Sequence, residues 1–422
     1  MMGTQKTIKF LDLFAGAGGL SEGFIRAGFL PVAHVESDIA ASFTLKTRVA
    51  YHWLKETKKL SLYNDYLFGK IPRETLYELI PESVISTVIN SEISEETLLD
   101  IFDKIDNLLQ GDQLDLIIGG PPCQAYSLVG RSRAKNGMKG DKRNYLYCFY
   151  AEFLKKFNPK YFVFENVIGL LSAKDENNTL YLDAMRNIFN DCGYHINVRV
   201  LSASDYGVLQ NRKRVIIVGN KEGKSDFFPL PEKWKPNVST CEVFNDLPKL
   251  NAGEGKIKPQ KLNEYYGSYL FEAGIRNGNH WITFHQSRPH KPQDLKIYKI
   301  VVKKWDEYHE RLNYNDLPVE LRTHKNLTSF LDRFKVVAGD LPVAQTIVAH
   351  ISKDGHYYIH PDIKQNRSLT PREAARLQTF PDDFFFESFS EKPGRTSAFH
   401  QIGNAVPVLL AQKIAEKLWE LW

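Results

Sequence analysis

The sequence is poor in cysteine. Four thiols in 422 residues, Cys123, Cys148, Cys192 and Cys241, form no CxxC pair. That argues against a disulfide-stapled secreted domain and against a zinc ribbon, and it favours a reducing cytoplasm. No apolar run approaches the roughly 18 residues that a membrane span requires. The residues after Met1 form no signal-peptide core, because Asp12 and several glycines interrupt the apolar stretch. A cytoplasmic protein with no membrane partner and no metal is expected. Internal repeats and low-complexity tracts are lacking too. So is a strong charge bias: 55 Lys and Arg face 50 Asp and Glu, a net charge of +5 that by itself does not argue for a polyanionic partner. The length suits two or three domains of about 150 residues each, or one large domain with insertions, and it can bury a core without covalent staples.

What is present is an alternation. Short apolar runs at Ile8–Leu13, Pro31–Val35, Leu116–Ile118, Tyr161–Phe164 and Val215–Val218 are separated by stretches of helical spacing. Buried strands with helices between them imply an α/β fold with a parallel, doubly wound sheet. Such sheets bind ligands at the carboxyl ends of their strands, where the motifs below lie. Residues 43–88 turn helical and polar and read as an insertion in a domain spanning 1–219. The alternation is lost over 220–366, which reads as a second, smaller domain. It returns over 367–422, which closes on an amphipathic helix from about Pro407 to Trp422.

Four features carry chemistry. Phe10–Leu20 is a strand, a glycine-rich turn and a helix start, with Glu36 at the end of the next strand. Glycines let a ligand approach the backbone, and a carboxylate at that position accepts hydrogen bonds from a ribose diol. The dinucleotide pattern GxGxxG fails at Ser21, so an adenosine-type cofactor without a pyrophosphate fits better; a plain strand–helix turn is the alternative. Asp115–Gln124 is a strand ending in Pro121-Pro122-Cys123. The rigid turn and the cations that follow, Arg131, Arg133, Lys135, Lys139, Lys142 and Arg143 against Asp141 alone, suit a nucleophilic thiolate under a basic lid; otherwise Cys123 is a buried structural thiol. Glu165 ends an apolar strand, as a proton donor or as an ion-pair partner. Arg212 and Arg214 alternate along an extended segment, as a fork for a phosphate or a base carbonyl or as a solvated face.

Six segments in order resemble the cytosine C5 DNA methyltransferases of bacterial and phage restriction-modification systems. They are Phe10–Leu20, Gly119–Ser127 (GGPPCQAYS), Glu165-Asn166-Val167, Gln210–Arg214, Arg367–Glu373 (RSLTPRE) and Gln401–Pro407 (QIGNAVP). The resemblance implies a class I S-adenosylmethionine-dependent methyltransferase sheet with a target-recognition domain over 220–366. Ser329–Asp362, with Arg333 and a Thr346–His350 strand, resembles that domain's return to the core. The family's catalytic roles fall on Cys123, Glu165, Arg212 and Arg214. S-adenosyl-L-methionine is expected on Phe14, Gly16, Ala17, Gly18, Gly19, Glu36, Pro121, Asn404 and Ala405. Where the family has an Asp against the adenine amino group, this chain has Asn90-Ser91-Glu92-Ile93, so Glu92 takes that place.

The implied reaction transfers a methyl group to C5 of a cytosine flipped from a specific short sequence of double-stranded DNA, through a bond between Cys123 and C6. DNA contacts are expected from Gln124, Ser127, Arg131, Arg133, Arg143, Arg288 and Arg372; Arg372 and Glu373 alternatively order the junction between domains. Arg276, Asn279, His280, His285, Gln286 and His290 join Arg288 as candidate base readers, or as phosphate contacts or packing. The enzyme is expected to act as a monomer, and a cognate restriction endonuclease acting separately is a compatible partner. Two other readings share parts of the pattern. A tRNA cytosine C5 methyltransferase carries a Cys-Phe-Thr signature that this chain lacks. A decayed DNA-binding protein has no need of intact Cys123, Glu165 and Arg214.

Overall fold

The computed structural model describes residues 7–122, 145–221, 223 and 227–422. The strands β1 (Lys9–Leu13), β2 (Leu30–Glu36), β3 (Val88–Asn90), β4 (Leu116–Gly119), β5 (Tyr161–Asn166), β6 (His195–Ser202) and β7 (Lys213–Asn220) form one sheet in the order β3-β2-β1-β4-β5-β7-β6. The pairs from β3 through to β5 are parallel, and β7 runs antiparallel to both its neighbours. The expected doubly wound, mostly parallel sheet is therefore present, with one reversed strand. The chain moves outward from β1 to β3, then restarts beside β1 with β4. That reversal opens a crevice at the carboxyl ends of β1 and β4.

Helices α1 (Gly19–Arg26), α2 (Ile39–Glu56), α3 (Leu60–Leu67), α4 (Arg73–Glu78), α5 (Glu82–Ile85), α6 (Leu98–Leu109), α7 (Leu146–Phe157) and α8 (Tyr181–Asp191) accompany the sheet. Later come α9 (Pro292–Tyr308), α10 (Pro371–Leu377), α11 (Arg395–Asn404) and α12 (Val408–Trp419). Side chains alternate across a strand, and both sets are apolar here. Phe10, Leu116, Ile118 and Val163 join one core with Phe24 of α1 and Ile414 of α12; Leu11, Leu13, Ile117 and Phe162 join another with Ile105 of α6 and Phe153 of α7. Burial on both faces explains why these strands read as unbroken apolar runs.

The segment expected as an insertion over 43–88 is helical. However, α2 starts earlier, at Ile39, on an Asp38 side chain that accepts the Ala41 N–H at 2.8 Å. It is the crossover from β2 to β3 itself, and the addition is α3 to α5. Those helices are tied to the far end of the chain. Tyr63 donates to the Asp383 carbonyl at 2.8 Å, Arg73 to the Ser388 carbonyl at 3.0 Å, and Tyr66 to Glu387 at 2.7 Å.

Residues 227–366 divide between two cores. Val243, Phe244, Tyr269, Leu270 and Phe284 belong to the sheet's own core. A distinct core forms further on, from Ile297, Tyr298, Val301 and Trp305 of α9 with Tyr314, Phe334, Val336 and Ile359. The Thr346–His350 strand does not form; an isolated bridge from Gln210 to Ala344 is followed by a 3-10 turn at Ala349–Ser352. Side chains replace the ladder: the Ile347 N–H goes to Gln210 Oε1, its carbonyl to Arg212, and Tyr358 bonds the Thr346 carbonyl and the Val348 N–H.

The returning segment is held by buried charges. Arg367 grips Glu373 at 2.7 and 2.8 Å, and Arg376 grips Asp382 at 2.6 and 2.8 Å while also reaching Asp246. Farther on, α12 lies against α1 at Gly23. A Cβ added there would sit 2.5 Å from Ala411 Cβ and from the Gln412 backbone nitrogen.

Two stability measurements check this packing. Gly23→Ala gains helix propensity of about 1 kcal/mol but drives α1 and α12 apart; overpacking of about 1–3 kcal/mol should dominate, so the chemical-unfolding midpoint should fall. Asp246→Ala leaves Arg276 and part of Arg376 without their buried carboxylate and should destabilise by about 3–5 kcal/mol, whereas a surface pair such as Lys104–Asp100 should change the midpoint by less than about 1 kcal/mol when broken.

Candidate active site

The crevice at the strand ends is a cleft of about 370 Å3. One wall is the turn after β1. Phe14 and Gly16 both have positive φ, +57° and +55°, and no atom lies within 4 Å of where a Gly16 Cβ would be. Backbone that an L side chain rarely adopts is stored there, facing open space. Glu36, at the end of β2, organises this wall: one carboxylate oxygen accepts the Gly16 N–H at 2.7 Å and the other the Asp38 N–H at 2.7 Å. Burial raises its pKa, against the pull of those two N–H groups.

Of the residues expected around a cofactor, Phe14, Gly16, Ala17, Gly19, Glu36, Glu92, Pro121, Asn404 and Ala405 line the cleft. Glu92 follows β3 and is exposed at the rim. Gly18 does not line it. It caps α1 with φ +81°, and a Cβ there would meet Leu45 at 2.9 Å. Gly19 lets the turn touch the returning chain, since its Cβ would fall 2.5 Å from the Val406 carbonyl.

The other end of the cleft belongs to β4, β5 and β7. Glu165 is buried at the end of β5, with Oε1 2.5 Å from Arg214 Nε. The contact is an ion pair rather than an aligned hydrogen bond, and among the described residues Oε1 has no hydrogen-bond donor. Gly120 runs directly beneath: a Cβ there would lie 2.7 Å from Glu165 Oε2. Asn166 donates to the Pro121 carbonyl at 3.2 Å, fixing the proline turn against β5. Pro121 and Pro122 thus deliver the chain to the mouth of the cleft beside Glu165. Cys123 itself lies outside the described residues, as do Gln124, Ser127, Arg131, Arg133, Arg143 and the rest of the basic stretch.

Two arginines need correction. Arg212 does not form a fork with Arg214. It is buried and bonds the carbonyls of Ile347 at 2.6 Å, Ala405 at 2.8 Å and Gly403 at 3.2 Å. Because Lys213 starts β7, Arg212 precedes the strand and turns inward, while Arg214 turns to Glu165. Arg372 is fully buried, with its guanidinium on Thr283 and on the carbonyls of Pro381 and Phe384.

The candidate base readers divide. Arg288 faces inward, bonding the carbonyls of Ile351 and Ser352 at 3.1 and 3.2 Å and that of Lys353. His285 is buried between Thr370 Oγ1 and the Pro248 carbonyl, and burial lowers its pKa to about 4. His290 meets Ser368 at 2.9 Å, and Arg276 pairs with Asp246 at 3.1 Å. Asn279, His280 and Gln286 keep access to solvent.

Sequence reasoning missed Asp12. It is the penultimate residue of β1, is 1% exposed, lines the cleft, and among the described residues has no hydrogen-bond partner on either oxygen. The signal was present: a lone acid in a strand whose neighbours are all apolar. Asn166 and Gly120 were inside recognised motifs, but their roles depend on contacts that spacing does not reveal.

Comparison with known proteins agrees with this geometry. The model of the C-5 cytosine-specific DNA methylase family matches residues 8–72 and 85–420. The unmatched residues fall on α4 and the start of α5, among the added helices. The type II methyltransferase M.Bpa9945I of Bacillus paralicheniformis is 40% identical over 96% of this chain and 97% of its own length. M.DdeI of Desulfomicrobium norvegicum is 29% identical, over 97% and 88% respectively. A solved DNA modification methyltransferase encoded within an E. coli prophage shares the fold, with a TM-score of 0.63 at 23% identity over 98% of this chain and 99% of that one. The chain belongs to the C-5 cytosine-specific DNA methylase family.

Proposed function

We propose that this DNA cytosine-5 methyltransferase acts on a cytosine flipped out of a specific short word of double-stranded DNA, with Cys123 as nucleophile and S-adenosyl-L-methionine as donor. The observation that carries this reading is the Glu165–Arg214 pair, set over Gly120 and the proline turn at one end of a cleft whose other end is the Glu36-bound turn. The cleft's residues fit the donor. Glu36 stands where a ribose diol binds, Gly16 leaves room for the nucleoside, and the unpartnered carboxyl of Asp12 matches a cationic tail. When bound, the donor supplies an electrophilic methyl group on a sulfonium.

The residues then have distinct tasks. Cytosine C5 is a weak nucleophile. Attack of the Cys123 thiolate on C6 forms a C–S bond and pushes the C5–C6 π electrons onto C5. Glu165 places a proton at N3, where negative charge would otherwise build, and Arg214 holds the carboxyl and the base O2 in line. C5 takes the methyl group. Loss of the C5 proton to a base then restores the C5–C6 double bond and expels the Cys123 thiolate, as the N3 proton returns to Glu165. Arg212 supports Arg214 and the Ala405 wall from behind and touches no reacting atom. The relatives are named type II methyltransferases, so host protection beside a separately acting endonuclease with the same DNA word is the setting we assign.

The test is transfer of labelled methyl from S-adenosyl-L-methionine to plasmid DNA and to bulk tRNA, followed by bisulfite sequencing. Wild-type protein should mark cytosines in one short DNA word and leave tRNA unlabelled. Cys123→Ser should abolish turnover while DNA binding persists; methylation by that variant at the wild-type rate would refute the nucleophile. Glu165→Gln should lower kcat by about 100- to 10,000-fold with little change in donor affinity. Arg212→Lys should raise the KM for the donor, through the Ala405 wall, more than it lowers kcat; the opposite split would place Arg212 on the base.

A further inference from the structure

Four of the seven residues expected to read bases, Arg276, His285, Arg288 and His290, are turned inward. Recognition of a short word still needs side chains that reach the edges of base pairs. Among the described residues the longest unbroken run of exposed positions lies elsewhere, at 323–330. It sits between Leu321 and Phe334, both in the second core.

The run has a fixed shape. Asn326 folds it: the side-chain oxygen accepts the N–H groups of Thr328 and Ser329, each at 3.0 Å, and the amide donates to the Ser329 hydroxyl at 2.7 Å. Arg333 fastens it to the core. Its guanidinium lies over the Tyr314 ring, 4.1 Å from the centroid, and donates to the carbonyls of Asn326, Ser329 and Phe330 at 2.8, 3.0 and 2.9 Å. The Tyr314 hydroxyl accepts the His324 N–H at 2.9 Å, and Asn315 donates to the Leu327 carbonyl at 2.9 Å. Phe330 has φ +53°, a conformation that a bulky side chain rarely adopts, and 73% of its surface is exposed. Strain of this kind persists only where surrounding bonds over-determine it, and it collects at ligand-binding segments.

The residues that build the loop are not the ones it presents. Asn326 and Arg333 are engaged within it. Thr323 and Lys325 make no hydrogen bond or ion pair among the described residues, and Leu327 and Phe330 face solvent. Arg322, Lys325, Arg333 and Lys335 against Glu320 and Asp332 leave the segment positive, which suits a phosphate backbone. A lysine beside apolar tips also matches base edges: guanine offers O6 and N7 to the one, thymine its methyl group to the other. The footing reaches the cleft. Lys335 and Val337 donate their N–H groups to the carbonyls of His356 and Ile359, and the chain then passes to Ala344 and Ile347, which bond the segment around Gln210 and Arg212. A base reader must keep its register relative to the reacting base, and this connection supplies it.

We propose that residues 323–330 form the loop that reads the DNA word, with Lys325 on a guanine edge and Phe330 against a thymine methyl, and that Arg333 is its positioning residue. This rests on the DNA reaction proposed above.

The test reads the word itself. The full chain methylates a plasmid library carrying randomised duplex sequence, and bisulfite sequencing gives the bases required around each methylated cytosine. Lys325→Ala should relax the requirement at one G·C pair by about tenfold to a hundredfold and leave the rest of the word intact. Arg333→Lys keeps the charge but loses the planar fork; it should broaden the word at more than one position with the KM for S-adenosyl-L-methionine unchanged. A merely structural defect would lower the rate on every sequence alike. An unchanged word in both variants, or a word relaxed by His280→Ala and not by Lys325→Ala, would overturn the assignment. Should either loop variant not fold, photocrosslinking of wild-type protein decides: on duplex bearing 5-iodouracil at the thymines in and beside the word, the adduct should form at Phe330, and adducts confined to residues 279–286 would overturn it. Failure of wild-type protein to methylate any DNA would instead remove the reaction proposed above, an outcome distinct from methylation of an unchanged word.

Discussion

Three stretches of chain far apart in sequence converge on the guanidinium of Arg212. It bonds the carbonyl of Ile347, in the segment leaving the α9 region, and those of Gly403 and Ala405, at the end of α11. Gln210, two residues earlier, takes the Ile347 N–H and passes its amide to Gln378, which in turn bonds the carbonyls of Ile402 and Ala405. The start of β7, the returning chain and the donor-side wall are thereby one hydrogen-bonded unit. Arg214 stands two residues on, against Glu165. The geometry at both ends of the cleft depends on that shared support.

The same device recurs through the last sixty residues. Arg367, Arg372 and Arg376 are fully buried, and each is matched to carboxylates or to carbonyls. Burying such groups is not an efficient source of stability, because desolvation offsets most of the attraction. What a guanidinium offers here is reach and direction: five donors in a fixed plane can join backbone carbonyls from loops that share no ladder. Residues 378–394, between α10 and α11, have no helix or strand to align them with the sheet, and directional bonds select one arrangement among the many that apolar contact alone would permit.

The sheet was legible in the sequence because its strands are buried on both faces, so apolar runs coincide with strands almost residue for residue. The turn glycines and Glu36 were legible because their roles are local to one β–α unit. Legibility ended where position depends on distant chain. Arg212 and Arg214 share a parity that in a strand puts them on one side, but the strand begins between them, and the parity rule has no force before Lys213. Arg288, Arg372 and His285 carry the side chains of base readers and are nonetheless turned inward, since residue type does not report which way a loop faces. Thr346–His350 has a strand's composition and no partner strand; side chains of Gln210, Arg212 and Tyr358 take its backbone groups instead. The start of α2 was misplaced because Asp38 was not recognised as its cap.

Asp12 and Glu165 show how differently one fold can treat two buried carboxyls near the carboxyl ends of β1 and β5, the strands on either side of β4. Glu165 has a cation, Arg214, and a glycine beneath it that leaves its second oxygen space. Asp12 has a second carboxyl, Glu36, for a neighbour and, among the described residues, no donor. Pairs of titratable groups whose surroundings push them apart are how a site assigns acid and base roles at neutral pH. On the roles proposed above, the contrast separates catalysis from binding instead. A carboxyl already paired is oriented and ready for a neutral base to arrive, while one left unpaired is incomplete until a cation arrives. An active site that must take up a positively charged donor and a neutral base in adjoining spaces can distinguish their places by that difference alone.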